Sequence, residues 1–179
     1  MRYDDLSESN MTISFEAVAA ALKKSESYEM QDAIRRFEDV AKKQPAVMGA
    51  AVQLGSLGVP LSLVEHALKI LLVLFECFES EAPDLPSLKQ EVVQDAFTRN
   101  TEALRTYATQ SKDEAKKSQH SYLMNLKEYA LVAFVTSYLQ DNVRGISRET
   151  EMVRQCCWVM MDAYIVAYHA HFESKKGAK

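Results

Sequence analysis

Cysteine, glycine and proline are scarce in this chain, and each scarcity removes a class of structure. The three cysteines, Cys77, Cys156 and Cys157, are an odd number without CxxC spacing, so no disulfide framework is indicated. Neighbouring residues of a helix point about 100° apart, which leaves Cys156 and Cys157 badly placed to share a ligand sphere or to bond to each other. They read as small buried hydrophobes in a reducing cytosol. Five glycines and four prolines beside 47% hydrophobic residues exclude a fibrous or disordered chain.

Positive charge is also short, with 21 Lys plus Arg against 25 Asp plus Glu for a formal net charge of -4. Phosphate backbones are held by clustered cations. Here Arg35-Arg36, Lys42-Lys43 and Lys116-Lys117 are short pairs flanked by acids, and nucleic acid is not expected as a partner. The opening MRYDDLSESN carries acids where a secretory signal needs a basic region and then an apolar run, so a cytoplasmic protein is expected. Strand signals are nearly absent, without clean alternation of β-branched residues between Asn-Gly or Asp-Gly turns. Catalytic signatures are missing too. There is no G-x-S-x-G elbow, and Gly55-Ser56-Leu57-Gly58 lacks the lysine and the preceding strand of a phosphate loop.

What is present is helical periodicity around one uncharged block. Gln44 to Val64 holds no charged residue and leads, through Glu65, His66 and Lys69, into ILLVLF at Ile70 to Phe75. In 179 residues this is the centre of a single domain, large enough to bury its apolar side chains unaided. The expected fold is all-α, a single bundle of six or seven helices with a buried apolar central hairpin over 44–78. Residues 1–12 are expected to form a flexible extension, 13–173 the bundle and 174–179 a disordered basic tail.

The first helix is expected near Ile13, capped by Thr12 or Ser14 and burying Phe15, Val18 and Leu22. A second, from Ser27 or Tyr28, places Met30, Ala33, Ile34, Phe37, Val40 and Ala41 on one stripe. Asp32–Arg36, Glu38–Lys42 and Asp39–Lys43 lie i, i+4 along its outer face. Pro45 opens the next helix. Its small residues, Ala46, Gly49, Ala50, Ala51 and Gly55, would let a neighbour approach closely. After Leu61 to about Glu79, a capping box of Ser87 and Gln90 starts a helix to about Thr109, with Val93, Phe97, Leu104 and Tyr107 on one stripe. A helix from about Tyr122 to Asn142 follows. Gly145 then stops it, and Ser147 caps the last helix, Arg148 to Glu173.

That last helix is apolar on two sides. Val153, Cys156, Met160, Ala163 and Ala167 form one seam, and Trp158, Met161, Ile165, Tyr168 and Phe172 another. It belongs at the centre of the bundle or in a subunit interface. Asp162, His169 and Glu173, at i, i+7 and i+11, share its polar face, the one metal-ligand candidate in the chain. One helix cannot complete a ligand set, and the Glu-x-x-His pairs of bundle metal sites are missing. The strip therefore reads as solvated, and neither a metal nor another cofactor is expected. His66, beside Glu65, reads as a hydrogen-bonded boundary residue.

These features point to a non-enzymatic helical interaction protein: an adaptor, a regulatory or immunity-type binder, or an assembly subunit. A protein partner is expected, along with a homodimer through the last helix that uses residues such as Ile165 or Phe172. The alternative is a membrane-active bundle that releases 44–78, a block long enough to span but diluted by Gln53, Ser56, Ser62, three glycines and Pro60. A helical metalloprotein is the third reading.

Overall fold

A computed structural model describes residues 13–111, 113, 114, 117, 118, 122 and 126–177. The 1–12 extension and residues 178–179 of the expected tail lie outside them. Among the described residues the protein is an all-α bundle of seven helices without strands: α1 (Phe15–Glu26), α2 (Met30–Lys43), α3 (Pro45–Ser56), α4 (Leu61–Glu81), α5 (Gln90–Ala108), α6 (Tyr129–Asn142) and α7 (Arg148–Gly177).

Two helices make the centre. In α4 every residue from Ile70 to Phe78 is buried, which a surface helix with a solvated face cannot achieve. In α7 every residue from Val159 to Ile165 is buried. The two pack directly on each other, and α7 also meets α3, α5 and α6. Both apolar seams of α7 are thereby covered within one chain. Aromatic contacts link the pair: the Phe78 and Tyr164 rings stack with centroids 4.9 Å apart, and Tyr168 meets Phe78 edge-on at 5.3 Å. No described helix is long and apolar enough to cross a membrane.

Local chemistry sets the boundaries. Ser14 caps α1, its hydroxyl accepting the Ala17 N–H at 3.1 Å. At the end of α3 the Val59 N–H donates to the Leu54 carbonyl and the Gly58 N–H to that of Gly55, both at 3.1 Å, with Gly58 at φ +86°. This is a Schellman stop, with Val59 and Leu54 both buried beneath it. Gly145, at φ +89°, separates α6 from α7, and the Ser147 hydroxyl accepts the Thr150 N–H at 3.2 Å.

Several expectations are corrected. The N-cap of α5 is Lys89, which makes no side-chain cap. In place of a Ser87–Gln90 box, the buried Gln44 reaches over from the α2–α3 corner, and its amide oxygen accepts the Leu88 N–H at 2.8 Å. α6 starts at Tyr129 and not Tyr122, because Lys127 turns the chain left-handed at φ 64°. Phe15 is half exposed, and α2 turns its stripe inward only at its C-terminal half, where Val40 is buried while Met30 stays 80% exposed. α7 overruns Glu173 to Gly177. His171 Nε2 lies 3.2 Å and Lys175 Nζ 2.5 Å from the Asp84 carboxylate, so residues 174–177 are helical where a disordered tail was expected. The expected 44–78 hairpin is consistent with α3 and α4, of which α3 buries Val47, Ala51 and Leu54 and α4 the whole run from Ile70 to Phe78.

Candidate functional site

The strip of Asp162, His169 and Glu173 is not the continuous solvated face its spacing suggests. Asp162 is 1% exposed. Its Oδ2 accepts from Arg99 Nε at 3.1 Å and Asn100 Nδ2 at 3.4 Å, both on α5. Burial raises the Asp162 carboxyl above its ordinary value, with Arg99 opposing. Two turns further on, His169 Nε2 lies 3.0 Å from Oε1 of the fully buried Glu128. The other oxygen of Glu128 accepts the Ile13 N–H at 3.0 Å, pinning the start of the described chain beside α6. Glu173 is exposed. Neighbouring segments thus engage Asp162 and His169 separately while Glu173 stays exposed, and no three His, Cys, Asp or Glu are grouped to hold a metal among the described residues. His66 Nδ1 sits 3.0 Å from the Tyr138 hydroxyl, as a boundary histidine would.

Periodicity missed the charge cluster that lines the α1–α2 side. Glu76, buried in the middle of α4, takes four contacts: the Tyr28 hydroxyl at 2.7 Å, Lys24 Nζ at 2.6 Å, and Arg36 through both Nε and Nη2. Arg36 also pairs with Glu79, as does Lys43, and its guanidinium lies 4.7 Å over the Phe75 ring. Burial pushes the Glu76 carboxyl up, but hydrogen bonds from Arg36, Lys24 and Tyr28 outweigh it and hold the group down at about 2. The signal was Arg36 itself, which falls at i+3 from Ala33 within the apolar stripe of α2.

On the α3–α5 side the bundle is open. A groove of about 540 Å³ runs between α3 and α5 over α7. Gly49, Val52, Gln53 and Ser56 of α3 form one wall, Val93 and Phe97 of α5 the other, and Met152, Gln155, Cys156 and Val159 of α7 the floor. Wall and floor each follow i, i+3, i+4, i+7, so each presents one helix face. None of the lining residues is charged. Val52 is 55%, Leu57 53% and Phe97 45% exposed. A Cβ built on Gly49 or Gly55 would meet no atom within 4 Å, so no described helix packs against α3 at these two glycines.

The groove's lining is apolar and neutral polar. Its one titratable group is Cys156, whose thiol burial pushes up to about 12 and whose Sγ lies 3.6 Å from the Ala50 carbonyl. It supplies no thiolate and no acid–base pair near neutral pH. Fold and site together define an all-α bundle with one charge-lined flank and one uncharged open flank. Compared with protein-family models, curated proteins and solved structures, the chain matches none.

Proposed function

We propose that this chain is a non-enzymatic interaction protein, an adaptor, regulatory binder or assembly subunit, and that it contacts its partner through the α3–α5 groove. The observation that carries this reading is an uncharged groove with exposed Val52, Leu57 and Phe97 at its rim, in a protein whose residues are 26% charged. Helix-in-groove recognition needs such a surface: apolar anchors, a neutral polar rim and room for a backbone. The free cysteines, two of them fully buried, suit a reducing compartment such as the cytoplasm.

Gly49→Arg tests the reading, because the new side chain enters the groove from a position with free space. Wild type and variant, equally folded by circular dichroism, are used as baits in extract of the native cell. A protein held by the first and released by the second is then purified and titrated against both. The expected result is a binary complex weakened at least tenfold by the variant. Equal affinity for both baits would remove the groove from the proposal. The membrane-active alternative has no comparable support, since releasing 44–78 would expose the whole buried run from Ile70 to Phe78. The metalloprotein reading meets Asp162 engaged by Arg99 and His169 beside Glu128.

A further inference from the structure

We infer that the groove's occupant is α3 of a second copy of this chain, so that two protomers close around a two-fold axis on their uncharged flanks. The inference rests on reading the groove as an interface, and it names the partner.

Charge is the first argument. An occupant of a lining without charge must itself be uncharged, because a desolvated ion would find no counter-ion there. The stretch from Gln44 to Val64 carries no charge, and α3 within it exposes Gly49, Val52, Gln53 and Ser56 along one face. The other long uncharged stretch, in α6 from Tyr129 to Gln140, exposes only Ser137 and Gln140. Outer faces of α2 and α5 carry Asp32, Arg35, Glu91, Asp95, Glu102 and Arg105. The chain's own matching surface is the groove wall itself.

Shape is the second argument. A two-fold interface uses the same patch twice, so the patch must hold both the bump and the hollow. Val52 and Phe97 supply bumps, and the bare backbone at Gly49 supplies the hollow. Glycine within a helix costs about 0.5–1 kcal/mol relative to alanine. Nothing in the fold uses the missing side chain at Gly49, whereas a second helix backbone crossing there would. Gln53, on the same face, carries both a donor and an acceptor, so across the axis it can pair with its own copy, which a charged residue cannot do. Of the residues expected at an α7 interface, Ile165 is 2% exposed and closed to this role, while Phe172 is partly buried.

The test is the mass in solution. Light scattering coupled to gel filtration of the full chain at micromolar concentration is expected to give twice the 20.2 kDa of one chain. Gly49→Arg and Gln53→Glu should each run as monomers with unchanged circular dichroism and melting behaviour, and should weaken self-association at least tenfold. Mixing Gln53→Glu with Gln53→Lys should restore a pair, because opposite charges then face each other across the axis. A wild-type monomer would overturn the second copy as occupant, while leaving the captured-partner comparison above free to stand or fall. A dimer that survives both substitutions would overturn the groove as its site.

Discussion

The two flanks of the α4–α7 core solve the same problem differently. On the α1–α2 side the edge of the apolar interior is lined by ions, beside a smaller cavity of about 260 Å³ at Lys43 and Glu79: Glu76 is saturated by Lys24, Tyr28 and Arg36, and the Arg36 and Lys43 cations lie over the Phe75 ring. On the α3–α5 side the edge has no charge and stays open. A charged rim covers apolar surface with long stems and presents its heads to water, so it finishes the fold against solvent. An uncharged rim leaves apolar surface in contact with water, as it does at Val52, Leu57 and Phe97.

The sharpest way to break the first flank is Glu76→Ala. It leaves Arg36 with Glu79 and the more distant Asp39, and Tyr28 and Lys24 without their carboxylate, and removing one partner of a buried ion pair should cost about 3 kcal/mol. Urea unfolding would read this as a lower midpoint at unchanged slope. A loss smaller than that of a typical surface substitution would mean that the cluster does not seal the core.

Acid should loosen the same flank. The Glu76 carboxyl is held at about 2 against an ordinary 4.5, and that of Glu79 is also lowered, its burial outweighed by hydrogen bonds from Lys43 and Arg36. A depressed folded-state pKa gives stability that is fully present above 4.5 and is lost as pH falls towards about 2. Asp162 acts with the opposite sign, because burial raises its carboxyl and protonation then favours the folded state. A Glu76→Gln variant should therefore lose less further stability over this range than wild type. Equal pH profiles for the two proteins would contradict the assignment.

On the open flank the sign should reverse. Gly49→Ala and Gly55→Ala, made in a Gln53→Glu background to suppress pairing, should each stabilise the monomer by about 0.5–1 kcal/mol, since the new methyls meet free space. Destabilisation by either would show that α3 packs more closely than described. The smallest difference concerns thiols. Burial holds Cys77 and Cys156 at about 12 and Cys157 well above its ordinary value. Thiol reagents should label the native protein slowly and the unfolded protein at once, and Cys156, on the groove floor and only partly covered, should react first. Labelling of Cys77 before Cys156 would reverse the expected order of accessibility.

Periodicity made the centre legible, because burial on every face leaves an uninterrupted apolar run at Ile70–Phe75 and two seams on α7. Chain reversals were legible at Pro45, Gly145 and Ser147, where one residue type meets one backbone requirement. The reach of a neighbouring helix was not. The stripe on α2 says which side would be buried, and Met30 is exposed because no described element extends over it. Asp162, His169 and Glu173 do share a polar face of α7, yet spacing along one helix does not reveal that Arg99 and Glu128 engage two of them from different segments. Glu76 looked like the end of an apolar run, since its partners lie 40 and more residues away in sequence. The small residues of α3 signalled close approach, but whether the approaching helix lies in the same chain is not written in its periodicity.

Because α7 follows the four helices it packs against, order of synthesis becomes a constraint. A nascent chain grows at roughly 5–20 residues per second, so α3, α4, α5 and α6 are synthesised before the helix that covers their inner faces exists. For the seconds needed to add about 30 residues, the Ile70–Phe78 run has only part of its shelter. During that interval the growing chain offers chaperones an extended apolar target. Truncation before Val153 would make the exposure permanent, and such a fragment should be recovered aggregated or degraded.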